Sequence, residues 1–79
     1  MTLSLPEVDV LNALNTFGAD SKRSMDCLFK RLVEVRGREM QKPILDSCLY
    51  ALVRRGHLKM DNDLYYLTET GKKFLKESN

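Results

Sequence analysis

Residues 64–75 read LYYLTETGKKFL, and two kinds of structure meet inside them. Leu64, Tyr65, Tyr66 and Leu67 are strand formers, and alternation across a strand puts Tyr65 and Leu67 on one face and Tyr66 on the other. Thr68 is suited to cap a helix, and Glu69 to lie at the positive end of its dipole. A helix therefore starts directly behind the strand, with no loop between. Gly71 falls near the third position of that helix, where it costs up to ~1 kcal/mol against alanine. Such a glycine predicts a close approach of this turn to another stretch of backbone.

Just upstream, His57-Leu58-Lys59-Met60 alternates polar and apolar, as a half-buried strand does. Asn62-Asp63 can form a two-residue turn, because both side chains tolerate positive φ better than most. That turn pairs Met60 with Tyr65 and Leu58 with Leu67 on one face, and Lys59 with Tyr66 on the other. A slip of one residue would turn the wrong set inward. Strands are expected over about 57–61 and 64–68, with a last helix over about 69–77.

Three helical patterns come earlier. Ser4-Leu5-Pro6-Glu7 fits a capping box, and Pro6 is tolerated because a first-turn amide has no acceptor within the helix. Val8, Leu11, Leu14 and Phe17, with Val10 beside them, predict a helix over about 5–17, closed by Gly18. Met25, Leu28, Phe29, Leu32 and Val33 predict a second over about 21–35, starting between Asp20 and Ser24 and fading at Arg36-Gly37. The third spans about 43–55, with Pro43 near its first position. Ile44, Leu45, Cys48, Leu49 and Leu52 form its buried face, with Val53 at the edge. Pro43, Ser47, Tyr50 and Arg54 lie opposite, flanked by Asp46. Arg54 and Arg55 complement the negative end of the dipole, and Gly56 closes the helix.

The chain has 79 residues, 30% charged and 43% hydrophobic, and shows no repeat or linker. One domain over residues 1–79 is expected, mainly α with a small two-stranded antiparallel hairpin, in the order α-α-α-β-β-α. No apolar run approaches the ~20 residues of a membrane span, and no leader pattern opens the sequence, so a cytoplasmic protein is expected. Cys27 and Cys48 fit buried thiols in a reducing compartment. Even with His57 they fall short of a four-ligand zinc site, and no metal or other cofactor is expected. The net charge of +2 hides a basic middle: ten Lys/Arg against four Asp/Glu from Lys22 to Lys59. The flanks are acidic. A basic middle points towards a polyanionic partner.

The segment Tyr65-Tyr66-Leu67-Thr68-Glu69-Thr70-Gly71 resembles the Y-x-L-T-x-x-G ending of the hairpin in winged-helix regulators of the MarR and PadR kind. Leu49-Tyr50-Ala51-Leu52-Val53-Arg54-Arg55-Gly56-His57-Leu58 is similar to the L-x-x-L-x-x-x-G-x-[LI] end of their recognition helix. Together these cover about the C-terminal half. The resemblance implies a winged helix-turn-helix that binds DNA and regulates transcription, its third helix in the major groove and its hairpin on the neighbouring backbone. By position, Gln41 and Lys42 stand at the start of that helix, and Ser47, Tyr50 and Arg54 on its exposed face. Arg36 and Arg38 in the preceding turn, and Lys59 on the hairpin, would reach phosphates. Gln41, Ser47 and Asp46 are able to read base edges.

Two features depart from the family. The hairpin tip, Asp61-Asn62-Asp63, carries carboxylates where Arg or Lys is common, and the exposed face of the third helix is not notably basic. The alternative is a module that binds only protein, with Tyr50 and Tyr66 as outward tyrosines. Phe74 and Leu75 would either form the seam of a homodimer or pack on the first helix. An enzyme is not expected: the single histidine, His57, is read as a surface strand residue, and no phosphate loop or H-E-x-x-H pattern is present.

Overall fold

The computed structural model describes residues 3–37 and 40–78, without the side chains of Arg36 and Ser78. Its elements are helix α1 (Leu5–Thr16), strand β1 (Arg23–Ser24), helices α2 (Met25–Arg36) and α3 (Lys42–Arg54), strands β2 (Leu58–Asp61) and β3 (Leu64–Leu67), and helix α4 (Glu69–Ser78). The described residues thus form four helices and a small antiparallel sheet of order β1-β3-β2.

The first strand is an addition to the six expected elements. It is two residues long, with Arg23 opposite Tyr65 and Ser24 opposite Leu64, too short to leave an alternation in the sequence. Ser24 ends it and caps α2, its hydroxyl accepting from the Cys27 amide at 3.2 Å. Residues 21–24 are therefore not the first turn of α2: Arg23 and Ser24 pair with β3, and the Ser21 amide donates to the Gly18 carbonyl at 3.1 Å.

The hairpin keeps the expected register: Leu58 opposite Leu67, Lys59 opposite Tyr66, Met60 opposite Tyr65. Asn62 and Asp63 have φ of 51° and 64°, as a twisted two-residue turn requires. Strand β2 starts one residue later and β3 ends one residue earlier than expected, because the His57 amide closes α3 by donating to Leu52 and the Thr68 hydroxyl caps α4.

Leu11, Leu14, Leu28, Leu32, Leu45, Leu49, Leu52 and Leu58 are each under 2% exposed and make the centre of the core. Val8 and Phe17, read as part of the buried face of α1, are only half-buried, and Glu7, Val10 and Ala13 are buried with Leu11 and Leu14. Steps of three advance about 300° round a helix, so Val8 and Phe17 lie about half a turn apart, either side of that face. Ile44, expected inside, is 38% exposed, as is Val53. At about 100° per residue each stands about 90° from the Leu45–Leu49–Leu52 centre, on opposite edges of α3. Among the described residues no helix is long and apolar enough to cross a membrane.

The end of α3 and the start of α4 are tied together. Gly56, at φ +85°, follows the helix, and the amides of Gly56 and His57 donate back to Val53 and Leu52 at 3.1 and 2.9 Å. This is a Schellman closure. The Thr68 amide then donates to the His57 carbonyl at 3.1 Å, and the Thr68 hydroxyl to the Gly56 carbonyl. The same hydroxyl accepts from the Gly71 amide at 3.1 Å, capping α4. Gly71 lies against the His57 carbonyl with no room for a side chain. The close approach expected of Gly71 is present, and its neighbour is the end of α3.

Candidate nucleic-acid interface

Helix α3 is buried along Leu45, Cys48, Leu49 and Leu52 and exposed on its other side. Gln41 is its N-cap residue, extended at φ −121° and ψ 151°, and its side chain makes no cap hydrogen bond. It is free to meet a partner. Lys42 is engaged with α2: its Nζ lies 3.3 Å from Asp26 and over the Phe29 ring at 5.7 Å. Such an exposed pair is worth roughly 0–1 kcal/mol, so an incoming anion can displace it. Ser47, Tyr50 and Arg54 are exposed, with Arg54 Nη1 donating to the Tyr50 hydroxyl at 3.3 Å. These five residues are brought together on one helix.

The remaining candidates are not. Lys59 stands opposite Tyr66, and alternation turns both away from the face that buries Leu58 and Leu67. Arg36 ends α2 with its side chain undescribed, and Arg38 lies outside the described residues. Tyr66, expected to be open, is half-buried, and Lys22 Nζ sits 5.0 Å from its ring centre. The same Nζ pairs with Asp61 at 3.1 Å, so only Asp63 of the two tip carboxylates has no ion pair among the described residues. Leu75, read as a candidate seam residue, is 5% exposed and belongs to the core of its own chain, with Phe74 half-buried beside it. Leu75 thus packs within its own chain, which is the second of the two placements expected for it.

His57 is half-buried in the turn before β2, not on a strand face, with its ring edge-on to Phe74 at 5.7 Å. Its Nδ1 is buried without a partner. Burial, followed by the positive charge of Arg55, pushes its pKa below the ordinary 6.5, with Glu7 opposing weakly. The unfolded chain therefore binds the proton more readily. Stability tied to neutral His57 is complete above pH ~6.5 and is lost as pH falls through the lower folded value. Thermal melts of the protein should show a lower Tm at pH 5.5 than at pH 7.5, and His57→Leu should flatten that difference; a slope unchanged in the variant would assign it elsewhere.

Three placements had no sequence signal. Phe17 is stacked by two guanidiniums, Arg23 at 4.8 Å and Arg31 at 4.5 Å. Arg55 reaches Glu7. Met60, on the inward face of the sheet, is 54% exposed. Around Met60 a groove of about 310 Å³ runs between the start of α2, Asp46 of α3 and the hairpin tip. Cys48 is buried, which pushes its thiol up, and Cys27 is half-buried. Among the described residues no group of three or more His, Cys, Asp or Glu could hold a metal ion. Compared with known protein families, curated proteins and solved structures, the chain matches none of them.

Proposed function

We propose that the chain is a winged helix-turn-helix module that binds double-stranded DNA through α3, as a cytoplasmic regulator of transcription. The observation that carries this is the outer face of α3, where Ser47, Tyr50 and Arg54 stand exposed, with Gln41 exposed at the N-cap of the same helix. Arg54 has no carboxylate partner among the described residues and is the natural phosphate contact, with Lys42 at the other end of the helix. Gln41 and Ser47 at its start have the chemistry to read base edges. Asp46 accepts from a cytosine amino group or else repels. The hairpin tip, with Asp63 unpaired, stands off the backbone. A homodimer on a two-fold DNA site fits such a module, built on surface other than Leu75.

With Lys42, Arg54, Arg36 and Arg38 on phosphates, log Kd against log salt should have a slope of magnitude about 3 to 4. Arg54→Ala should remove about one unit of that slope and weaken all sequences alike, whereas Gln41→Ala should narrow the difference between sequences. Titration of labelled random duplexes at several salt concentrations measures both. An absence of binding at ~50 mM salt would sink the proposal. It would promote the second reading, a module that docks only on protein. That reading draws support from Tyr50, a tyrosine 67% exposed at the centre of the same face.

A further inference from the structure

We propose that the groove between the start of α2, the middle of α3 and the hairpin tip is a docking site for a basic, partly apolar segment of a partner protein. The groove is lined by the apolar groups of Met25, Met60 and Tyr65 and by the carboxylates of Asp26, Asp46 and Asp63, and none of its described lining residues is Lys or Arg. Its apolar lining follows from the register. Leu58 and Met60 share the inward face of β2, yet Leu58 is fully buried and Met60 is 54% exposed, so the apolar face of the sheet runs on past the body that covers it. Methionine is unbranched and polarisable, and such side chains adapt to varied apolar partners.

The carboxylates decide the sign of the occupant. Asp46 and Asp63 make no ion pair among the described residues, and Asp26 holds Lys42 only through an exposed contact at 3.3 Å. Both unpaired carboxylates line the groove beside Tyr65, whose hydroxyl pKa is pushed up by burial first and then by their charge. Among the described residues, these acids do not gather into a metal-binding group. Their charge is spread along the groove, as spaced cations on an extended segment would need. Phosphate is repelled by the same three carboxylates. A segment with Lys or Arg either side of an apolar side chain puts the apolar group on Met60 and the cations on Asp46 and Asp63.

The test is an NMR titration of the whole chain with three short synthetic peptides: alternating Arg and Leu, alternating Arg and Ser, and alternating Glu and Leu. The Arg–Leu peptide should shift the Met25 and Met60 methyls and the Asp46 and Asp63 amides, more weakly as salt is raised. Asp46→Asn with Asp63→Asn should weaken it at least ~10-fold. Met60→Ser, which leaves every charge in place, should weaken it severalfold. All three positions are exposed, so the variants keep the fold, which their melts check. Equal binding of the Arg–Ser peptide would mean charge attraction alone and overturn the proposal. So would shifts elsewhere on the surface, binding of the Glu–Leu peptide, or undiminished affinity in the double variant. Concentration-dependent shifts at Met25 and Met60 without peptide would assign the groove to a second copy of the chain instead.

Discussion

Gly71→Ala should lower stability by about 2–3 kcal/mol, at a position where the same change in an open helix would raise it by up to about 1 kcal/mol. A Cβ at Gly71 would be driven onto the His57 carbonyl oxygen and would stand 3.2 Å from both the His57 carbonyl carbon and Leu67 Cδ2. The nearest atom is backbone, and it is held from both sides. The His57 carbonyl accepts from Thr68, and the His57 amide donates into the end of α3. Relief requires α4 to lift, which strains the Thr68 cap and shifts Leu75 in the core. Leucine in place of alanine should be worse. For a domain of this size the alanine change corresponds to a fall in Tm of about 10–20 °C. The control is Thr70→Ala, one residue earlier and exposed, expected within about 0.5 kcal/mol of the parent. Unfolding by heat or urea decides it, and a Gly71→Ala protein as stable as its parent would mean that α4 is not seated as described.

Gly71 was legible because a helix former's position held a glycine, and only a neighbour explains that. The hairpin was legible because a period of two leaves one register that puts Leu58 and Leu67 inside together. Both rest on residues close in sequence. What stayed hidden depends on parts that meet only in the folded chain. Strand β1 has two residues and no pattern until β3 lies beside it, and with it came the pairing of Lys22 with Asp61 that changes the charge at the tip. For Met60, alternation gives the face but not how far the body extends beneath it. For the exposed side of α3 the helical angle was enough, and Pro43, Ser47, Tyr50 and Arg54 are exposed where it puts them, whereas Gln41 was placed at the helix start by resemblance and is its N-cap. Lys59 was assigned by resemblance, and alternation turns it from the face that α3 packs against.

Glu7→Ala should cost about 2–3 kcal/mol, far more than an acid in a first helical turn ordinarily contributes. The sequence reads Glu7 as half of a local capping box, yet it is 7% exposed and bonds on two sides. Oε1 accepts from the Ser4 amide at 3.0 Å and the Ser4 hydroxyl at 2.7 Å, and Oε2 from Arg55 Nη1 at 3.1 Å. One carboxylate thus closes the start of α1 and ties it to the end of α3. Burial pushes its pKa up, but the Ser4 bonds and then Arg55 outweigh burial and leave it below the ordinary 4.5. With the folded pKa lowered, the unfolded chain takes the proton first. The stabilisation is whole above pH ~4.5 and disappears as pH falls through the folded value, a window below that of His57. Glu7→Gln should therefore remove the acid-side loss of stability below pH ~4.5 while keeping the shape of the site. Arg55→Ala should cost roughly 1 kcal/mol or less, because the arginine is 39% exposed and water replaces part of what it gives. The two single changes and the double change at pH 7 isolate the pair. Additive effects would make Arg55 an ordinary dipole-end cation, whereas a double change costing less than the sum of the singles would show that the capping box and the end of α3 are one interaction.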